Sequence, residues 1–393
     1  MMAAGTAAKN NKEVILYEKN KKLGRKLLIT GKGRCNITSA KGIQEMIDSI
    51  PVNGSFLYSA FYTFSNEQLI DLLNNLGLET KVERGDRVFP VSDKARDVLE
   101  TMKKYLYQNG AKVENKEIIS IKKKNNKFIL NTNENKEITA ENVVIATGGK
   151  SYPKTGSTGA GYEFAKKLGH TINNLYPSLV PLVTEEDWVK DLQGLSLKNV
   201  DLIVFNKNEE IIFKERGEMI FTHYGVSGPL VLSASSHMRN MKNEDYKIKI
   251  DLKPALSKEK LDNRIQRDFS KYANKYFKNS LGDLLPSKLI PVIVNLAKIN
   301  YDKTVNQITS EERGNLINLL KGLELNVTDY RPIEEAIVTS GGVEVKEIDP
   351  ATMESKIVDN LYFAGEVLDV DAYTGGFNLQ IAFSTGYLAG INV

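Results

Sequence analysis

Cysteine, histidine and long apolar runs are scarce in this chain, and each scarcity excludes a class of protein. A single cysteine, Cys35, rules out an internal disulfide and fits a reducing cytoplasm, which is the expected location. The three histidines are scattered and form no metal-binding spacing, so no metal site is expected. No apolar run approaches the roughly 20 residues that span a bilayer, and no basic-then-apolar leader is present, so neither a membrane anchor nor export is expected.

The bulk composition is that of an ordinary globular protein. The 393 residues are enough for two or three domains, and 41% hydrophobic with 26% charged residues excludes a disordered chain. The net charge of +4 is mildly basic, which is compatible with a polyanionic partner but does not require one.

The most informative segment is LGRKLLITGKGRCNIT, residues 23–38. It follows a short apolar run at 14–17, predicted to be a strand, which ends in the acid Glu18. An acid at that strand end is where a dinucleotide-binding unit accepts hydrogen bonds from the adenosine ribose. The order of strand, acid and glycine-rich segment therefore predicts part of a nucleotide-cofactor site.

The residue types inside this segment support the same interpretation. Gly31 and Gly33 let the backbone approach a flat ligand because they have no Cβ. Lys26 and Arg34 can reach diphosphate oxygens, and an arginine can do so with two parallel hydrogen bonds. The segment is therefore predicted to form one wall of the cofactor pocket.

A dinucleotide unit normally begins with a strand and a GxGxxG loop, and this sequence begins inside the helix that follows them, MMAAGTAAKNN. Its small residues suit a helix packed tightly on a sheet. The missing strand would be central and buried, so its loss would leave backbone groups unpaired. We therefore expect a truncated start site or gene model; the alternative is a form that has lost half of its phosphate cradle.

Similar glycine-rich segments return later in the chain. An apolar β-branched run at 143–147 ends in ATGG, and a strand predicted at 361–364 leads into GEVLDVDAYTGGFNLQ. A glycine pair before a helix collects unpaired N–H groups and the positive helix end at one point. Two such segments on either side of an insertion predict one discontinuous cofactor domain, formed by 1–176 and 333–393. The insertion is predicted to have a β-rich subdomain at 177–256 and a helical subdomain at 257–332.

Local signals predict several element boundaries. Ser65 and Gln68 form a capping-box pattern before a helix. Ser92 is predicted to cap a helix over 93–108, and Ser310 to cap another in the helical subdomain.

Taken together, these residues resemble the flavoprotein family that contains bile-acid ene-reductase-like and ribosomal-RNA dihydrouridine synthase proteins, the NAD(P)/FAD-dependent oxidoreductases. LGRKLLITGKGRCN and GEVLDVDAYTGGFNLQ carry the resemblance, and the matches cover essentially the whole chain in the family's order. The resemblance implies an α/β fold with a two-dinucleotide-binding-type, Rossmann-like FAD domain. It also implies FAD and NAD(P)H as cofactors and a carbon–carbon double bond in the substrate.

The resemblance also implies which residues bind the cofactor. The matched positions and their neighbours give these candidates: Glu18, Lys19, Arg25, Lys26, Gly31, Gly33, Arg34, Cys35, Asn36, Val113, Thr147, Gly148, Gly149, Gly365, Glu366, Asp369, Gly375, Gly376, Phe377, Asn378 and Gln380. Cys35 has no second cysteine with which to form a redox pair, so it is interpreted as a small buried residue of the pocket rather than a reactive thiol.

His223, in the segment FTHYGVSGP, is the candidate catalytic residue, because histidine can donate a proton near neutral pH. The alternative is a histidine that only fixes a turn. His170 and His237 are expected on the surface.

The expected function is reduction of an activated C=C bond by an FAD-dependent enzyme that uses NAD(P)H. Two substrates remain open, a uridine in ribosomal RNA and a small enone-like metabolite such as an unsaturated steroid acid. The alternative from another class is a truncated, non-catalytic remnant that binds RNA or a protein partner.

Overall fold

The computed structural model describes residues 1–239, 241 and 244–393. The chain divides into two compact units. The first unit contains Met1–Ser178 and Pro332–Val393, and the second contains Leu179–Arg331.

Both units contain helices and strands. The helices are α1 (Met2–Lys9), α2 (Arg25–Ile29), α3 (Ile43–Asp48), α4 (Tyr58–Thr63), α5 (Asn66–Asn75), α6 (Ala95–Gln108), α7 (Ala160–Lys167), α8 (Pro229–Ser235), α9 (Lys258–Lys271), α10 (Ile290–Leu296), α11 (Ser310–Lys321) and α12 (Phe377–Asn392). The strands are β1 (Ile15–Tyr17), β2 (Thr38–Ser39), β3 (Thr80–Glu83), β4 (Arg87–Pro90), β5 (Lys112–Glu114), β6 (Ile118–Lys124), β7 (Lys127–Thr132), β8 (Glu137–Ala140), β9 (Val143–Ile145), β10 (Tyr176–Ser178), β11 (Leu182–Thr184), β12 (Ser196–Phe205), β13 (Ile211–Phe221), β14 (Gly225–Ser227), β15 (Tyr246–Asp251), β16 (Leu323–Tyr330), β17 (Val338–Ser340) and β18 (Leu361–Phe363).

The first unit contains two pairs of parallel strands. β1 pairs with β5, where Leu16 lies opposite Val113, and β18 pairs with β9, where Leu361 lies opposite Val143. Parallel neighbours require a crossover connection, which is the hallmark of α/β architecture. The β9–β18 pair contributes to a buried apolar core, in which Phe363 is completely covered.

The N-terminal helix packs closely on α12 and α6 of the first unit. A Cβ at Gly390 of α12 would lie 2.6 Å from the carbonyl oxygen of Ala3, and a Cβ at Gly5 would lie 2.7 Å from the ring of Tyr105. These separations leave no room for larger side chains, which explains the small residues of α1.

The predicted helix starts are partly confirmed. Ser65 accepts a hydrogen bond from the backbone N–H of Gln68 at 3.2 Å, so the capping box is confirmed. The cap at Ser92 is wrong, because α6 begins at Ala95 without a side-chain cap. The cap at Ser310 is wrong by one residue, since Thr309 accepts the hydrogen bond at the start of α11.

The second unit is built around a closed antiparallel barrel with the strand order β11-β14-β13-β12-β15-β16. The final strand, β16, follows the helices α9 to α11 and pairs with both β15 and β11. The sequence assigned 177–256 and 257–332 to separate subdomains. In the structure, barrel strands and helices share one apolar core that contains Phe221, Ile250, Leu285 and Leu316.

Within the described parts of the chain, each helix is too short or too polar to cross a membrane. The same residues contain no group of His, Cys, Asp and Glu side chains arranged to hold a metal ion.

A buried histidine links three segments of the first unit. The prediction of a surface position for His170 is wrong, because its side chain is fully covered. Its Nδ1 lies 3.2 Å from Glu347 Oε2, and its Nε2 lies 2.8 Å from the hydroxyl of Ser355. That hydroxyl also accepts the backbone N–H groups of Ile357 and Val358, so its own hydrogen is directed at Nε2. The arrangement fits a neutral imidazole that donates from Nδ1.

We expect the free energy of unfolding to fall as the solution is acidified below about pH 6.5. Burial lowers the pKa of His170 in the folded protein, although the Glu347 carboxylate opposes this change. The stabilisation is therefore complete above the pKa of the unfolded chain and is lost as pH falls through it. Urea unfolding between pH 7.5 and 5.5, followed by circular dichroism, measures this. In His170→Gln the dependence should flatten; an unchanged pH dependence would contradict the assignment.

The start of α12 is packed directly against β2. Gly376 caps the helix with φ at +98°, and a Cβ there would lie 2.5 Å from the carbonyl carbon and oxygen of Thr38. Both the backbone conformation and the available space therefore require glycine.

Gly376→Ala should lower the free energy of unfolding more than Gly77→Ala does. Gly77 has φ at +95° but no atom within 4 Å of its Cβ position, so it isolates the conformational cost of about 1–2 kcal/mol. The clash at Gly376 should add about 1–3 kcal/mol. Urea unfolding of the two variants compares these costs directly; equal losses would show that α12 can move away from β2.

Candidate cofactor site

Four separated segments of the first unit meet at an ion pair. Lys26, in the early basic segment, lies with Nζ 2.7 Å from Glu366 Oε2 and 2.7 Å from the hydroxyl of Ser151. Glu366 Oε1 accepts the backbone N–H of Thr339 at 2.9 Å and the hydroxyl of Ser151 at 3.2 Å. The Lys26 and Glu366 side chains are 25% and 18% exposed, so the pair is mostly covered but still accessible to solvent. The structure thus joins segments that the sequence selected separately.

The glycines beside this pair allow the segments to approach one another. A Cβ at Gly149 would lie 2.6 Å from Glu366 Oε1 and 2.6 Å from Thr339 Oγ1. Gly148 has φ at +74°, a conformation that favours glycine. Thr147 Oγ1 lies 2.0 Å from the position of a Cβ at Gly161, beside the start of α7. The ATGG turn is therefore shaped by contacts with its neighbours in the fold.

A second convergence joins the end of the early segment to α12. The hydroxyl of Thr38 donates to Gln380 Oε1 at 2.6 Å, and the amide of Gln380 donates to Ser384 Oγ at 2.9 Å. Gln380 is completely buried, so its amide holds the helix against β2. Asn378 hydrogen-bonds the backbone N–H and C=O of Ala372, and thereby fixes the turn that carries Gly375.

Three buried polar atoms of the first unit have no hydrogen-bond partner within the protein. They are Asn36 Oδ1, Ser340 Oγ and Asp369 Oδ1. The other oxygen of Asp369 accepts the amide of Asn173 at 2.8 Å, so only one side of the carboxylate is satisfied. Buried polar atoms without partners are costly, and a ligand with matching donors and acceptors would satisfy them. The residues therefore fit a polar cofactor such as FAD.

Asn36 and Asp369 were among the sequence candidates, whereas Ser340 was missed. Ser340 is 2% exposed and lies in β17, beside Thr339 of the first convergence. The sequence signal was present in TSGGV, where the hydroxyl immediately precedes two glycines, but it did not distinguish the two neighbouring hydroxyl residues.

Glu18, Lys19 and Arg25 lie around Asn20. Glu18 Oε1 accepts the backbone N–H of Asn20 at 2.8 Å and its amide at 2.7 Å, while Arg25 donates to the same amide's oxygen at 3.0 Å. Lys19 donates to Thr158 Oγ1 at 2.8 Å. The expected ribose acid therefore stands at the end of β1, with one of its oxygens already in use.

Arg34 makes contacts that differ from the expected ones. Its guanidinium donates to Asp93 Oδ1 at 3.0 Å and to Glu83 Oε2 at 3.2 Å, and it stacks 4.2 Å from the ring centre of Phe89. The hydrogen bonds from Arg34 lower the pKa of Glu83, and the pKa of Asp93 is lowered by a hydrogen bond from Lys81 and by those from Arg34. The contacts lend no support to a phosphate-binding role for Arg34. Gly31 lies next to Asn36, since a Cβ at Gly31 would be 3.0 Å from the backbone nitrogen of that residue.

Gly33 and the remaining candidates have mainly conformational or packing roles in the contacts seen. Gly33 has φ at +87° with no atom within 4 Å of its Cβ position. Gly365 has φ at +76° and donates its N–H to Thr385 Oγ1 at 2.9 Å. Phe377 is 6% exposed and packs in the apolar core. Val113 lies in β5, opposite Leu16.

Cys35 is an inert buried thiol in this structure. It is completely covered, and its burial raises the pKa of the thiol to about 11. A thiol with such a pKa carries almost no thiolate at neutral pH, so redox chemistry at this residue is disfavoured. These properties agree with the interpretation of Cys35 as a small residue inside the fold.

His223 lies in the second unit, in the short turn between β13 and β14. Its exposed ring meets the ring of Tyr224 edge-on at 4.8 Å between centres. Gly225, at the end of this turn, leaves no room for a side chain, because a Cβ there would lie 2.3 Å from the carbonyl oxygen of Leu182. The assignment of His223 as a catalytic acid stays a prediction.

Comparison with known proteins gives consistent results across the chain. The family model described as "HI0933-like protein Rossmann domain" matches residues 1–392. The chain is 30% identical to the 3-dehydro-bile acid delta(4,6)-reductase of Clostridium scindens over 397 residues, which cover 99% of this chain and 95% of that protein.

Two further relatives share another name. The ribosomal RNA dihydrouridine synthase of Haemophilus influenzae is 30% identical over 400 residues, covering 100% of this chain and 95% of its own. The enzyme of that name from Escherichia coli is 30% identical over 388 residues, covering 98% and 93%. The expected Rossmann-like α/β fold class is confirmed by the family model. The chain belongs to the HI0933-like protein family.

Proposed function

We propose that this protein is an FAD-dependent oxidoreductase that uses NAD(P)H to reduce an activated carbon–carbon double bond. The main support is the convergence of the early basic segment, the ATGG turn and the C-terminal glycine segment within the first unit. The names of the relatives, a reductase and two dihydrouridine synthases, support the same class of reaction.

The residues of the first unit divide the binding task between them. The hydroxyl and amide groups of the cofactor would donate to three unpartnered acceptors, Asn36 Oδ1, Ser340 Oγ and Asp369 Oδ1. The N-terminus of α12 offers unpaired N–H groups and a positive end, which favours a negatively charged ring edge. When bound, FAD supplies hydride transfer, and the protein binds, orients and electrostatically tunes it.

The Lys26–Glu366 pair has a positioning role in this proposal. Glu366 also accepts hydrogen bonds from the backbone N–H of Thr339 and from the hydroxyl of Ser151, so its carboxylate holds two further segments in place. Lys26 balances that charge in a half-buried setting. The pair thus fixes one wall of the proposed site.

We propose a uridine in ribosomal RNA as the substrate, with an enone-like metabolite as the second candidate. Two relatives are named as ribosomal RNA dihydrouridine synthases, and the basic net charge suits an RNA partner. The second candidate is retained because the bile-acid reductase is equally similar, at 30% identity. A base in RNA has to be splayed out before its ring can be reached.

Purified protein mixed with FAD should show the visible absorbance of bound oxidised flavin, and NADH or NADPH should bleach it without air. Adding an unmodified ribosomal RNA transcript should restore the colour and add two hydrogens to a uridine, as measured by mass spectrometry. Recovery of colour with an unsaturated 3-oxo steroid acid instead would favour the second candidate. A folded protein that stays colourless would overturn the proposal and favour a non-catalytic binding protein.

Ser340→Ala should weaken FAD binding by about tenfold while leaving the free energy of unfolding of the apoprotein unchanged or higher. The substitution removes a buried hydroxyl that has no partner in the protein, so the fold loses no hydrogen bond. Isothermal titration with FAD and urea unfolding of the apoprotein measure the two quantities.

Ser178→Ala is the matched control. Ser178 is also buried, but its hydroxyl donates to Asp371 Oδ2 at 2.7 Å. This variant should lose about 1 kcal/mol of stability and bind FAD as the wild type does. Destabilisation by Ser340→Ala with unchanged FAD affinity would show that Ser340 serves the fold instead of the ligand.

A further inference from the structure

A surface of alternating tyrosines and lysines lies in the second unit, after α9. The segment KYANKYFK, residues 271–278, runs beside residues 300–306. The backbone N–H of Phe277 donates to the carbonyl of Lys303 at 2.9 Å, and that of Val305 donates to the carbonyl of Lys275 at 3.0 Å. Phe277 is completely buried and anchors the pair of segments. The surface is therefore carried on a fixed backbone.

The tyrosine rings on this surface are exposed and face ammonium groups. Tyr276 is 48% exposed and Tyr301 is 57% exposed. Lys278 Nζ lies 5.6 Å from the ring centre of Tyr276 and 5.1 Å from that of Tyr301, so one cation serves both rings. Lys275 Nζ lies 4.4 Å from the ring centre of Tyr272. An exposed tyrosine ring offers an apolar face on which another flat group can stack.

Lysines outnumber carboxylates along the same stretch of sequence, and one of them, Lys303, is paired with Glu312 outside it. Residues 271–303 contain six lysines, two aspartates and no other charged side chain. The aspartates, Asp283 and Asp302, are each paired with a lysine, Lys271 and Lys278. Lys275 has no carboxylate partner among the described residues. The surface therefore offers the charge of Lys275 beside exposed aromatic rings.

We propose that this tyrosine–lysine surface, formed by Tyr272, Lys275, Tyr276, Lys278 and Tyr301, binds single-stranded RNA. Bases stack on exposed tyrosine rings, while lysines contact the phosphates. A duplex hides its base faces, and an acidic peptide or a lipid headgroup does not carry a flat ring with each negative charge, so single-stranded RNA fits the combination best. The inference rests on the proposed function, because it provides a second contact for a ribosomal RNA substrate.

The full-length protein and a fluorescent single-stranded oligoribonucleotide, followed by anisotropy, test this inference. The double variant Tyr276→Ala/Tyr301→Ala should bind at least about tenfold more weakly, since stacking on one ring contributes roughly a factor of ten or more. The corresponding double phenylalanine variant should bind as the wild type does, because it keeps both rings. Tyr62→Ala is the control: Tyr62 is 67% exposed but belongs to the first unit and has no lysine over its ring among the described residues.

Salt dependence provides an independent measurement. Lys275→Gln should reduce the slope of log affinity against log salt concentration by about 0.7, the value for one phosphate contact to a single strand. The inference is overturned if the salt slope of Lys275→Gln and the RNA affinity of the tyrosine double variant both equal those of the wild type. It is also overturned if Tyr62→Ala loses as much RNA affinity as the double variant does, or if duplex RNA binds more tightly than the single strand.

These results are separable from the proposed function. RNA binding is measured without FAD or NAD(P)H, whereas the proposed reaction is followed through flavin colour. If the flavin is bound and reduced but the tyrosine variants bind RNA normally, only the surface is rejected. If the protein stays colourless yet the tyrosine variants lose RNA, the surface stands and the redox proposal fails.

Discussion

The contact between Lys26 and Glu366 is the interaction on which the candidate site depends. It joins residues that are 340 positions apart in the sequence, and Ser151 and Thr339 bring two further segments to the same carboxylate. A partly exposed ion pair contributes little stability by itself. Its importance is geometric, because a single carboxylate with three donors, from Lys26, Ser151 and Thr339, fixes where four segments lie relative to one another. Without the hydrogen bonds to Glu366, the glycine-rich loops would have few interactions that restrict them to one conformation.

Close backbone approach is the second constraint, and it explains why the loops are rich in glycine. At Gly149 the missing side chain makes room for the Glu366 carboxylate, and at Gly376 it makes room for the backbone of Thr38. These are steric requirements between distant segments, which differ from a local need for a positive φ as at Gly33. The same glycines that let the fold close leave little side-chain bulk near the helix end of α12, where a flat ligand would require space.

Local features were predictable from the sequence, and partner identity was not. The capping box at Ser65 depends on residues three apart and was found, whereas the cap at Ser92 failed because the chain reaches its helical conformation only at Ala95. Strand β16 was missed although its apolar and polar residues alternate, because it follows a long helical stretch. Arg34 showed the same limit: a basic residue in a glycine-rich loop suggests phosphate, and only the fold reveals Glu83 and Asp93 beside it.

Unpartnered buried oxygens occur in both units, so their presence alone does not identify a site. In the second unit they include the hydroxyls of Thr184 and Thr222. Asn36, Ser340 and Asp369 differ from these in their location. Each belongs to a segment that takes part in one of the two convergences, or lies beside such a segment. A fold that brings several loops together through exact contacts, and still leaves one acceptor unused on each, has given up hydrogen bonds at a cost of about 1–3 kcal/mol apiece. In the first unit a bound cofactor would recover that cost, because the three acceptors lie on or beside the segments that converge.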